Sequence, residues 1–91
     1  MRRLRRNKAA INDKLVELFR NALAAQKAIR QRGLPVAEVQ RLAEIQYAFH
    51  KALDWRSWEP DPLSPHAEGE AGALRATLLA EIKRRDEAAK A

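Results

Sequence analysis

Apolar or small residues stand at Ile11, Leu15, Leu18, Ala22, Ala25 and Ile29, at alternating steps of four and three. That is the heptad rhythm of a helix with one packing seam. Val16, Phe19 and Leu23 form a second apolar row beside it, and an apolar face that wide asks for two neighbours. The pattern predicts a first helix from about Lys8 to Arg32, with Arg30 and Arg32 at its negative end and Gly33 as the stop. Val36, Val39, Leu42, Ile45, Phe49, Ala52 and Leu53 then follow at near-helical spacing. They predict a second helix from about Pro35 to Asp54, with Pro35 in the first turn, where its missing N–H costs nothing. The short connection between the two predicts an antiparallel hairpin over residues 8–54.

The pattern breaks at Trp55. Pro60, Pro62 and Pro65 block regular structure, and Glu59 and Asp61 make residues 55–64 an acidic, extended connector. Ser64–Pro65 reads as an N-cap followed by Pro at the first helical position, which opens a third helix over 65–91. Gly69 and Gly72 weaken its first part, so a start near Ala71 is the competing reading. Its stripe of Ala71, Leu74, Leu78 and Ile82, with Leu79 alongside, is narrow.

The expected fold is therefore all-α: an antiparallel helical hairpin plus a third, C-terminal helix. Length and composition add a demand for assembly. A chain of 91 residues buries about 60–65% of its unfolded surface, and this one has no cysteine to staple it. What remains is close helix packing or oligomerisation. The expected contact between copies is the first helix's own face: Ile11, Leu15, Leu18, Phe19, Ala22, Ala25 and Ile29. Phe49 and Leu53 are expected to join that shared core.

Charge changes the picture further. Residues 1–32 hold ten Lys/Arg and two acids, a net of +8 in a chain whose total is +6. Arg2, Arg3, Arg5, Arg6 and Lys8 make the opening residues, 1–7 and the helix start, a basic arm. Lys14, Arg20 and Lys27 are expected to carry that charge along the face opposite the seam. Such a surface suits the phosphate backbone of DNA or RNA. An acidic protein surface is the second reading, and a solvated tail the bland one. No helix-turn-helix pattern precedes a reading helix, so backbone contact is expected over sequence recognition.

Signatures of catalysis are missing: there is no glycine-rich phosphate loop, no His-Glu-x-x-His and no nucleophile elbow. Neither enzymatic activity nor a cofactor or metal is expected. His50 and Asp54, four residues apart, read as a surface pair, and His66 as solvated. Trp55 and Trp58 read as a hydrophobic plug at the end of the second helix or as a partner hot spot. With Leu74, Leu78 and Ile82 they define the alternative function, a protein-binding adaptor or inhibitor. No apolar run approaches the ~18–20 residues that span a bilayer, so no membrane role is expected. Arg2 to Arg6 look like the start of a signal peptide, but Asn12, Asp13 and Lys14 interrupt the apolar stretch that must follow. The first twelve residues are also basic and free of acid, as a mitochondrial presequence is, but a cytoplasmic location is the default expectation.

Two families share features with this pattern. Residues 8–54, followed by a separate helix, resemble the oligomerisation core of small terminase subunits from tailed phages. That resemblance implies rings of antiparallel hairpins engaged in DNA packaging, although the usual N-terminal DNA-binding domain has no counterpart here. Leu18–Phe19–Arg20, followed by Leu23, is similar to the signature of the LYR-motif adaptors, with Phe19 in place of the tyrosine. That likeness implies a mitochondrial adaptor that docks an acyl carrier protein.

Overall fold

The structure, a computed structural model, describes residues 11–54 and 61–90. Three helices follow one another: α1 (Asp13–Arg32), α2 (Val36–Leu53) and α3 (Gly69–Lys90). Among the described residues there is no strand.

Local chemistry sets the helix ends. α1 begins at Asp13 and not near Lys8, because Asn12 is extended and its side-chain oxygen accepts the Leu15 N–H at 2.9 Å. Such a cap contributes about 1 kcal/mol. Asp13 sits favourably in the positive first turn, and α1 stops where Gly33 takes a positive φ of 76°. Pro35 precedes α2 and accepts backbone N–H bonds from Glu38 and Val39. α2 ends at Asp54, which adopts the left-handed conformation and returns its N–H to the last-turn carbonyls.

α3 starts at Gly69, between the two positions that its sequence offers. Residues 62–66 form turns instead of a first helical turn at Pro65. Gly72 explains the placement: a Cβ there would stand 2.7 Å from the Ala67 carbonyl oxygen. The turn before α3 folds so closely over the helix that only glycine fits.

α1 packs chiefly on α2, and α3 packs on α1. The core is Leu15, Val16, Leu18, Phe19, Ala22 and Ala25 from α1, Ile45, Phe49 and Leu53 from α2, Leu63 from the connector and Leu78 from α3. Phe19 and Phe49 are fully buried, with ring centres 6.3 Å apart and planes tilted by 41°. Each such side chain contributes about 1.5–3 kcal/mol through burial. On its other side, the Phe19 ring lies 5.5 Å from the Arg75 guanidinium of α3.

The α1 seam thus finds its two neighbours within the chain. Leu15, Leu18, Phe19, Ala22 and Ala25, expected between copies, are buried against α2, Leu63 and α3. Ile11 packs half-buried against the same core, and Ile29 lies half-buried at its margin. The five buried side chains are thus used inside the chain and not held open for a second copy. Leu78, expected to grip a partner, is fully buried, and Leu74 and Ile82 lean on the core beside it. α3 buries little else beyond Ala71, and ion pairs complete its attachment. Arg85 binds Asp13 at 2.8 Å, and Asp86 binds Arg20 at 2.7 Å.

Candidate functional site

The cations expected to meet phosphate divide into two groups. Arg2, Arg3, Arg5, Arg6 and Lys8 lie outside the described residues, as do Trp55 and Trp58. Lys14, Arg20 and Lys27 lie on α1, and all three are exposed. They do not make a continuous basic face. Asp13, Arg20 and Lys27 follow at heptad spacing, with Glu17 beside them, so acids and bases alternate along this side. Arg20 is engaged by Asp86 of α3, and the expectation missed this because the two residues are far apart in sequence.

Other cations of the folded body are also paired. Arg32 and Arg41 flank Glu38 at 3.4 and 3.5 Å. Arg84 and Arg85 both bind Glu81, Arg85 through Nε at 2.7 Å. Those two guanidiniums bring the Glu81 carboxyl down from an ordinary 4.5 to about 2, the hydrogen bond from Arg84 acting most strongly. The hydrogen bond from Arg20 likewise holds Asp86 below the usual carboxylate range. Across the whole sequence, residues 1–10 carry a net charge of +5 and the other 81 residues a net of +1.

A second constellation gathers around Asp61, which sequence patterning gave only to the connector. His50 is not a surface residue. It is 2% exposed, and its Nε2 lies 3.0 Å from Asp61 Oδ1. Asp54, its expected partner, is the exposed residue that ends α2. Asp61 Oδ1 also accepts the Leu63 N–H at 3.0 Å, and Oδ2 accepts the Gln46 amide at 2.9 Å. A carboxylate acceptor calls for the His50 tautomer that carries its proton on Nε2. The next residues are fastened through their carbonyls. Gln26 Nε2 donates to the Leu63 oxygen, and Arg75 reaches the Pro62 and Leu63 oxygens at 3.5 and 3.4 Å. Leu63 itself is fully buried. One segment of three residues thus ties α1, α2 and α3 together. The bond from Asp61 to the N–H two residues on is an Asx turn, a local signal that Asp-Pro-Leu-Ser-Pro does carry. The reach to His50 has no local signature.

Beside this segment runs an open groove of about 360 Å³, lined by Gln26, Ile29 and Arg30 of α1, Leu42 and Gln46 of α2, and Asp61, Ser64 and Pro65. That volume lies in the range of small-ligand and side-chain pockets. Its apolar floor is Ile29, Leu42 and Pro65, and the polar groups at its edge are largely used within the chain. Ser64 Oγ accepts the His66 N–H, and Asp61 already accepts three donors. Among the described residues, no three histidines or carboxylates gather as a metal site, and no helix is long and apolar enough to cross a membrane.

Comparison with protein-family models, curated proteins and solved structures finds no match to this chain. The likenesses to small terminase subunits and to LYR-motif adaptors therefore rest on sequence pattern alone.

Proposed function

We propose that this protein is a non-enzymatic, nucleic-acid-associated protein whose basic opening residues contact the phosphate backbone. In this reading α1 and α2 form the antiparallel hairpin that their short connection demands, and α3 braces it. One observation carries the proposal: net positive charge is segregated. Residues 1–10 hold five of the net six charges and no acid, while the body's arginines are largely engaged by its own carboxylates. A folded body of near-neutral charge that begins with a cationic segment fits a polyanion through that segment, without base recognition. Arg2, Arg3, Arg5, Arg6 and Lys8 are then the phosphate contacts, and exposed Lys14 and Lys27 are secondary ones. Arg20 leaves the set, because Asp86 already holds it. Leu15, Leu18, Phe19, Ala22 and Ala25 leave the expected contact between copies, because the chain's own core holds them.

The test is fluorescence anisotropy of a labelled duplex with the full chain across a salt series. Five phosphate contacts give a slope of log affinity against log salt of about −4.5. Replacing the five cations together (Arg2→Gln, Arg3→Gln, Arg5→Gln, Arg6→Gln, Lys8→Gln) should bring that slope to about −1 or abolish binding. An unchanged slope, or no binding by the native chain at low salt, refutes the proposal.

A further inference from the structure

The end of the molecule where α1 turns into α2 combines two properties: exposed aliphatic side chains and an excess of cations. Leu34 is 78% exposed, Val36 69% and Val39 42%. They are the most exposed aliphatic residues of that size, and they lie within six positions of one another. Val39 precedes Leu42, which lines the groove, by about one turn on the same side of α2. Between residues 27 and 43 the sequence places Lys27, Arg30, Arg32 and Arg41 against a single acid, Glu38. Glu38 is held between Arg32 and Arg41, while exposed Arg30 stands on the groove's rim. Glu44 follows on the far side of α2 from Leu42. The exposed aliphatic side chains, the groove residues Ile29, Arg30 and Leu42 and the excess of cations all fall within residues 27–43, around the turn from α1 to α2.

We propose that this surface docks an acidic amphipathic helix of another protein. One apolar side chain of that helix fills the groove over Ile29, Leu42 and Pro65, and the next lies on Val39, Val36 and Leu34. Carboxylates flanking its apolar stripe meet exposed Arg30 within the net charge of +3 of residues 27–43, which sets orientation and speeds encounter. Charge complementarity selects this occupant. A second copy would bring the same excess of cations against itself, and a groove of about 360 Å³ has no counterpart on a flat bilayer. None of the surface's residues belongs to residues 1–10, so substitutions in the two sets test the two proposals independently.

The experiment uses the full chain and a labelled synthetic peptide with leucines at i, i+3, i+4 and i+7 among glutamates. Polyglutamate and a lysine-for-glutamate version of the peptide serve as controls. Saturable binding of the leucine–glutamate peptide alone is expected. Val39→Asp and Arg30→Glu should each weaken it at least about tenfold, and Leu34→Asp, in the exposed turn, repeats the test should Val39→Asp lose helical circular dichroism. Replacing the five cations of residues 2–8 should leave this binding in place. Four outcomes overturn the proposal: no saturable binding, equal binding of polyglutamate, equal binding by the Val39 and Leu34 variants, or a surface occupied otherwise. The last would appear as light-scattering mass that rises with concentration, or as capture on anionic phosphatidylserine vesicles, either one abolished by Val39→Asp.

Discussion

Asp61→Ala tests the carboxylate that joins the connector to α2. The substitution removes an acceptor for three donors at once: His50 Nε2 at 3.0 Å, Gln46 Nε2 at 2.9 Å and the Leu63 N–H at 3.0 Å. His50 is 2% exposed and Leu63 is fully buried, so water cannot freely replace the carboxylate for either of them. Leaving one buried donor unsatisfied costs about 1–3 kcal/mol. Gln46 is partly buried and recovers some of its bond from solvent. The expected loss is about 2–4 kcal/mol, less than the sum of three separate bonds, because the loosened segment relaxes. For a domain of this size that is a fall in melting temperature of about 10–25 °C. Urea and thermal unfolding followed by helical circular dichroism measure it directly. Asp61→Asn should lose about half as much, since its amide oxygen still accepts while its NH₂ opposes the Gln46 amide. The control is Asp54→Asn, at the residue spaced to pair with His50 on a helix; it tolerates the left-handed conformation of Asp54 and should stay within about 0.5 kcal/mol. A loss below about 0.5 kcal/mol for Asp61→Ala, or a larger effect at Asp54, refutes the reasoning.

Two further outcomes follow from the geometry. Gly72→Ala, which raises intrinsic helix propensity by about 1 kcal/mol, should nevertheless destabilise the chain by about 1–3 kcal/mol, because the new Cβ meets the Ala67 carbonyl at 2.7 Å; a gain in urea midpoint would show that the turn yields freely. The carboxyl of Glu81 has a folded-state value lowered from 4.5 to about 2, so its contribution is complete above about pH 4.5 and is lost as pH falls towards 2. Glu81→Gln should flatten the acid limb of stability between those values, most visibly at low salt, since its partner Arg84 is solvent-exposed. Identical acid limbs for both proteins would exclude that carboxyl as a source of the slope.

The three helices were legible because their apolar residues recur at helical spacing over long windows. Gly33 and Pro35 punctuate the first two. α3 was legible as an element but not at its start. Its narrow stripe gives a weak phase, and the deciding contact, Gly72 against the Ala67 carbonyl, is a backbone approach without a sequence signature. The width of the α1 face was read correctly as a need for two neighbours. Where those neighbours came from was not, because Leu63 supplies part of the cover from a Pro-rich stretch that carries no periodicity. His50 illustrates the same limit. Its i+4 acid is visible in any helical wheel, whereas a partner eleven residues away depends on how the connector folds back. Arg20 looked like a member of a basic stripe until α3 brought Asp86 to it.

The uneven fastening of α3 makes ionic strength act on one part of the molecule more than another. Near its beginning the helix is locked by Leu78, by Arg75 over Phe19 and by the carbonyls of Pro62 and Leu63. Towards its end it is held by solvent-exposed Arg85–Asp13 and Arg20–Asp86 pairs. Concentrated salt weakens only the second kind of attachment. The ion pairs at the end of α3 therefore loosen before its packed centre, and Arg20 is freed from Asp86 under the same conditions that screen it from any polyanion.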